Sequence, residues 1–433
     1  MTTRGLRAAG FPEEQVRARA RRGTAEVFPP AGTYGHVLYG ADAEEHPAAQ
    51  DALDRARLVP PVFMPRRLEK LIELGREPVH DDVDLATRPG GFASPLPLFL
   101  SAFGSTKAAS GDLAVAAAQQ SARLGIPMVI GENMVPVHGY RQGDSQTTPA
   151  ALLRRIAAYE QHLSDEVGGV IVQQSTEDAD AEVFNLINSD PAADRLLSSG
   201  RLAFELKVGQ GAKPGLGGMT VTGADESARL ETRFTLHDVM DDPTIHLRCA
   251  TPGTYTEEIV HQQLRFMRSN FPRARIWIKF PPGRDVAHAA ATAWRAGADA
   301  VTVDGAEGGT GWAPRVFLDQ VGLDLAECLR RIGPPAGCLL ATGRMWEGGR
   351  AVRALALGAT AVGLGRAALI AVDEDPEHGL VRLTEALALE AQLLISALGK
   401  YDAAALGPED VWTPGQHLEE EPVTRARDDD TTG

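Results

Sequence analysis

Lys207, Gln210 and Lys213 lie within KVGQGAKPGLGG, residues 207–218, where five of twelve positions are glycine. Each glycine is entropically costly to order. The segment therefore reads as a backbone that turns sharply or comes very close to a ligand, with two ammonium groups and an amide beside it. A solvated surface turn is the bland alternative. Lys279 sits inside the otherwise apolar IWIKF. A lysine there is costly to bury unless an anion accompanies it, and a reduced flavin, negative at its N1–C2=O edge, is such an anion. Glu132 ends another apolar run in IGEN. In VDGAEGGTGWAP, residues 303–314, Glu307 is followed by Gly308, Gly309, Thr310 and Gly311, a flexible loop that carries a carboxylate and a hydroxyl. Near the end, ATGRMWEGG and GLGRAAL place Gly343, Gly363 and Gly365 where the main chain could approach a phosphate, with Arg344 or Arg366 to pair with it. Two ordinary glycine turns are the alternative.

Eight short apolar runs position these groups: PLFLSAF (97–103), IPMVIGE (126–132), GGVIVQQ (168–174), AFELKVG (203–209), IWIKFPP (276–282), AVTVDGA (300–306), CLLATGR (338–344) and AVGLGRA (361–367). Alanine-rich stretches with helical apolar spacing, such as GDLAVAAAQQSARLG, lie between them. Continuous apolar strands alternating with helices imply a parallel sheet covered by helices. Eight such units predict an α/β TIM (β/α)8 barrel. A doubly wound sheet is the second choice, and the GxGxxG turn that would favour it does not follow the first run. In a barrel the active site lies at the strand C-termini. Those positions hold Ser101 with Ala102, then Glu132, Gln173, Gln174, Lys207, Lys279, Asp304 and Arg344. The long interval between the fourth and fifth strands would be a loop over the barrel mouth. The expected organisation is an N-terminal extension over 1–90 packed on the barrel, the barrel over 91–410, and a charged, disordered tail over 411–433.

Composition narrows the partners. The chain has 433 residues, 43% hydrophobic, with a formal net charge of -15. That acidity argues against nucleic acid or an anionic membrane surface, since both select a basic face. Cys249, Cys328 and Cys338 show no metal-ligand spacing and fit a reducing cytoplasm without disulfides. No metal site is expected. No apolar run approaches the roughly 18 residues of a membrane span, and the arginine-bearing start has no apolar segment after it, unlike a secretory signal.

The run ELKVGQGAKPGLGG resembles the flavin and 2-oxoglutarate segment of the FMN-binding synthase domain of glutamate synthase. DGAEGGTGWAP is similar to that domain's glycine-rich loop, IWIKF to its lysine strand, LGATAVGLGRAALIA to its phosphate-binding end and PLFLSAFGS to its first strand. The similarity runs over roughly residues 90 to 375. It implies an FMN-dependent barrel oxidoreductase acting on an amino acid or 2-oxo acid type of small molecule, by reductive amination through an imine or by oxidation of an amino or hydroxy acid derivative. Lys207, Gln210 and Lys213 would contact substrate carboxylates and flavin, Glu132 the substrate, and Lys279 the flavin. Ser101, Ala102, Gln173, Glu307, Gly308, Gly309, Thr310, Gly343, Arg344, Gly363, Gly365 and Arg366 complete the cofactor site. The chain departs from the family where ALIAVDEDPEHGLVRL, after the eighth strand, lacks the iron–sulfur cysteines. RCATPGTYTEE replaces the family's His-rich loop, Trp312 stands where a small residue is usual, and Met345 stands where the phosphate arginine is expected. No iron–sulfur cluster and no glutaminase domain are expected. That leaves room for an electron-donor or amidotransferase partner protein, for a role as the flavin-binding subunit of a multi-chain synthase, and for a homo-oligomer.

Overall fold

Each of the eight apolar runs forms a strand in the computed structural model, which describes residues 5–40, 51–103, 112–131, 151–164, 166–175, 182–209, 219–224, 227–228, 231, 235–238, 241–249, 253–309 and 313–414. The strands are β1 (Leu98–Leu100), β2 (Met128–Ile130), β3 (Val170–Ser175), β4 (Leu202–Lys207), β5 (Arg275–Phe280), β6 (Ala300–Asp304), β7 (Leu339–Thr342) and β8 (Ala361–Leu364). They are parallel, neighbours in space as in sequence, and close into a barrel through the β8–β1 pairing. The fold is a TIM barrel.

Alternation along each strand builds two cores. Outward residues such as Leu98, Met128, Val170, Phe204, Ile276 and Val301 join the apolar faces of the surrounding helices in one large buried cluster. The inward residues form a separate floor: Phe99, Val129, Ile171, Ala203, Trp277, Ala300, Leu340 and Ala361, one from each strand. The segment Pro89–Phe92 closes the barrel beneath this floor. Phe92 packs on Trp277 with ring centroids 5.6 Å apart, and the Trp277 indole N–H donates to the Gly90 carbonyl at 3.3 Å. Gly90 has φ +55, and a Cβ there would lie 2.2 Å from the indole, so only glycine lets the chain pass this close.

Helix α1 (Glu13–Arg22) buries Val16 and Ala20 and packs on α5 (Arg366–Glu374) and α6 (Gly379–Ala397). Arg17 anchors it by ion pairs to Asp373 and Glu374. The short helix α2 (Ala52–Arg55) inserts the fully buried Leu53. Val411–Trp412, which the sequence reading assigns to the disordered tail, pairs antiparallel with Arg57–Leu58. Backbone hydrogen bonding to a distant segment, invisible in the local composition, orders these two residues. The interval between β4 and β5, read as a loop, contains a three-stranded antiparallel sheet of Met219–Gly223, Thr235–His237 and Ile245–Cys249, with the last strand in the centre. Among the described residues no helix is long and apolar enough to cross a membrane.

Candidate active site

Two residues beyond the apolar floor, toward the strand C-termini, the barrel interior becomes polar. Ser101, Gln173, Glu205, Lys279, Thr302 and Thr342 occupy these positions on six strands, all buried, and glycines 131 and 363 occupy the other two. Glu205 is 1% exposed. Its carboxylate accepts from Thr302 Oγ1 at 2.7 Å on one oxygen and from Gln173 Nε2 on the other. Burial pushes the Glu205 carboxyl up, and Lys279, the two hydrogen bonds and Lys207 act in the opposite sense. Lys279 Nζ lies 3.0 Å from Asp304 Oδ2, and Thr342 Oγ1 donates to the other Asp304 oxygen. The half-buried Lys207 stands opposite Lys279 in the β4–β5 register, and Ser175 stands opposite Lys207. Two ammonium groups are thus set side by side at the barrel mouth. Gln173 Oε1 is buried and has no hydrogen-bond partner among the described residues. Gln174 lies on the outward face, where its Oε1 accepts from the Phe184 N–H at 3.4 Å, so it is not part of this layer.

The loops after β6, β7 and β8 meet beside this layer. Arg350, on α4 (Gly348–Ala356) and fully buried, donates to both oxygens of Asp51 at 2.8 Å, to Asp54 at 2.6 Å, to Glu307 at 2.6 Å and to the Gly343 carbonyl at 3.1 Å. Arg344 pairs with Asp54 and holds φ +54, a left-handed conformation costing roughly 1–2 kcal/mol for a non-glycine residue. Glu307 also accepts the Leu325 N–H at 3.1 and 3.2 Å, at the first residue of α3 (Leu325–Ile332), whose N-cap is Asp324. Three carboxylates here share two guanidiniums, and burial pushes Glu307 up to about 7.

The side chains of Glu307 and Arg344, expected at the cofactor site, take part in this ionic cluster with the N-terminal segment. Gly363 is needed for packing, because a Cβ there would lie 2.5 Å from Thr342 and 2.7 Å from Phe99. A Cβ on Gly308 would approach Asp304 to 2.9 Å, and one on Gly309, at φ +79, would approach the Arg366 guanidinium to 3.0 Å. Gly343 combines φ +148 with its carbonyl bond to Arg350.

Gly365 differs from these four glycines. It is the N-cap of α5, and among the described residues a Cβ there would meet nothing within 4 Å, which leaves this helix N-terminus open. Arg366, the first residue of that helix, donates to the Glu307 carbonyl and stacks 4.5 Å over the Phe11 ring. Burial first, then neighbouring Arg344, pushes its pKa down to about 10. Ala102 is packed at the edge of the barrel floor. Glu132, Gln210, Lys213, Thr310 and Trp312 lie outside the described residues. Among the described residues no group of His, Cys, Asp and Glu is placed to hold a metal ion.

The sequence reading missed Glu205, Thr302 and Thr342, together with Asp51, Asp54 and Arg350. A signal was available for Glu205, which precedes Lys207 by two residues and so shares its face of the strand. No local signal marks Asp51 and Asp54 as partners of a residue 299 positions away from Asp51.

Residues 192–374 match the family described as the conserved region in glutamate synthase. The archaeal-type glutamate synthase [NADPH] of Dehalococcoides mccartyi is 33% identical over 185 residues, 41% of this chain and 36% of that protein. A glutamate synthase large subunit-like protein of Rhizobium meliloti is 32% identical over 188 residues, 41% of each chain. The chain thus spans well under half the length of these relatives. Among solved structures, a soluble mutant of the membrane-associated (S)-mandelate dehydrogenase from Pseudomonas putida superposes with a TM-score of 0.51 at 17% identity, over 93% of this chain and 99% of that one. The flavin-binding domain of baker's yeast flavocytochrome b2 gives 0.52 at 17% identity, over 83% and 76%. The structural likeness shows the barrel, including its first three strands, which precede the family match. The resemblance to the synthase domain of glutamate synthase holds across 192–374.

Proposed function

We propose that the chain is an FMN-dependent oxidoreductase of the glutamate synthase type, acting on an amino acid or 2-oxo acid and catalysing reductive amination through an imine. The observation that carries this reading is Lys279, a cation buried within the polar layer above the barrel floor and flanked by Lys207. The donor set fits FMN. Lys279 offers a positive charge to the ring edge that becomes negative on reduction, and the orphaned Gln173 Oε1 offers an acceptor to a ring N–H. Ser101 and Ala102 border the same space, and the open N-terminus of α5 at Gly365, with Arg366 beside it, suits a phosphate. Bound there, FMN supplies a reversible hydride carrier.

The remaining work belongs to the chain. Lys207, with Lys213 and Gln210, binds the substrate carboxylates, and Glu132 contacts the substrate. Asp304 orients the Lys279 ammonium from 3.0 Å. The barrel floor under the polar layer excludes water from below and strengthens the electrostatics above it. The absence of cysteine in ALIAVDEDPEHGLVRL, residues 368–383, supports electron delivery without an iron–sulfur cluster, through a donor that is a separate molecule or partner protein. The replaced loop RCATPGTYTEE, residues 248–258, favours a second reading, in which the same site oxidises an amino or hydroxy acid derivative.

The visible spectrum of the purified protein, with identification of any released chromophore, tests the proposal. Bound FMN without iron–sulfur absorption supports it. Anaerobic mixing then separates the two readings: amino or hydroxy acids that bleach the flavin indicate oxidation, while 2-oxo acids with ammonia that reoxidise the reduced flavin indicate amination. A colourless protein that takes up no added FMN overturns it.

A further inference from the structure

We infer that Glu205 is a positioning residue that locks the amide of Gln173, so that Oε1 is presented to the ligand as a fixed hydrogen-bond acceptor. This rests on the FMN reading above. Both oxygens of Glu205 accept, one from Thr302 Oγ1 and one from Gln173 Nε2. A carboxylate in that state has no donor to offer. Turning the Gln173 amide over would set Oε1 against the Glu205 oxygen, two acceptors in contact at a site where both residues are almost fully buried. The amide is therefore held one way round, and the atom left over is the buried Oε1, which has no partner among the described residues. Burial raises the Glu205 carboxyl, and Lys279, the two hydrogen bonds and Lys207 act against that rise, toward the ionised state on which the lock depends.

An acceptor left unmet in a buried site is costly. The site should therefore select a ligand that brings an N–H to this point and discriminate against one that does not. Oxidised FMN carries a single ring N–H, at N3. The probe is 3-methyl-FMN, in which a methyl group replaces that hydrogen.

The experiment measures the Kd of FMN and of 3-methyl-FMN by fluorescence titration, and the visible spectrum of each bound flavin, for wild type, Glu205→Gln and Thr302→Val. Wild type should prefer FMN by roughly tenfold or more, the worth of one satisfied buried acceptor. Glu205→Gln preserves shape but offers both donor and acceptor, so Gln173 can turn. The preference should then fall below about threefold, with an altered flavin spectrum. Thr302→Val removes the bond on the other oxygen and leaves Nε2 engaged, so the preference should survive. Should Glu205→Gln not fold, Glu205→Asp withdraws the acceptor from Nε2 by one methylene and carries the same test. A wild type that binds FMN without discriminating, or a Glu205→Gln variant that discriminates as wild type does, overturns the role of Glu205 alone. A wild type that binds neither flavin overturns the FMN reading and this inference with it.

Discussion

Replacing Lys279 with Met tests the electrostatics of the barrel mouth directly. Lys279 is 6% exposed, and its ammonium lies 3.0 Å from the Asp304 carboxylate. At an effective dielectric of 20 that separation corresponds to about 5.5 kcal/mol of Coulomb attraction. The desolvation of the ammonium, several kcal/mol, opposes it. Removing one partner of a buried pair typically costs 3–5 kcal/mol, because the other charge is left uncompensated. Here Asp304 keeps the Thr342 hydrogen bond and retains some contact with solvent, 16% by side chain, so the low end applies and the expected loss is about 3 kcal/mol at pH 7. Urea unfolding of the apo-protein measures this. In FMN titrations the same variant loses a charge-assisted hydrogen bond worth about 1.5–3 kcal/mol, which raises Kd roughly 10- to 100-fold. Asp304→Asn completes a double-mutant cycle, in which the two changes should be strongly non-additive. Unchanged stability with additive variants would refute the ion pair. An unchanged Kd would refute the placement of Lys279 against the flavin.

Further expectations concern the ionic cluster and the barrel floor. The Glu307 pKa lies near 7 in the folded chain against an ordinary 4.5. A raised folded value means that its contribution to stability is complete below about pH 4.5 and is lost as pH rises through about 7, on the order of 3 kcal/mol in total. Glu307→Gln should flatten that part of the stability profile, as followed by urea midpoints between pH 4.5 and 8, and an unaltered slope would contradict the assignment. Arg350→Met leaves Asp51, Asp54 and Glu307 without their shared donor and should cost about 3–5 kcal/mol in urea unfolding; a loss under about 1 kcal/mol would show that the cluster does not hold the N-terminal segment. Gly90→Ala drives a methyl into the Trp277 indole at positive φ. It should cost more than about 2 kcal/mol, and a thermal midpoint within a degree of wild type would be incompatible with the floor described here.

The eight strands, their parallel arrangement and the barrel were legible in the sequence, because a strand buried on both faces must be apolar over its whole length and the chain shows eight such runs. Lys279 announced itself as a charge inside the otherwise apolar IWIKF, and Lys207 as a cation at the end of the strand Leu202–Lys207. The alternation that separates Gln173 from Gln174 is equally local, but which of the two faces inward depends on how the sheet closes. The meeting of Glu205 with Thr302, 97 residues apart, depends on β4, β5 and β6 lying in register around a closed barrel. The recruitment of Glu307 and Arg344 into the ionic cluster is decided further away still. Asp51 and Asp54 come from a short helix ahead of the barrel, and their composition says only that they could cap a turn. Period and burial are properties of adjacent residues and act through the backbone, so the sequence displays them. Partnership between polar groups is settled by long-range closure, where a buried donor must take whichever acceptor the fold brings within reach.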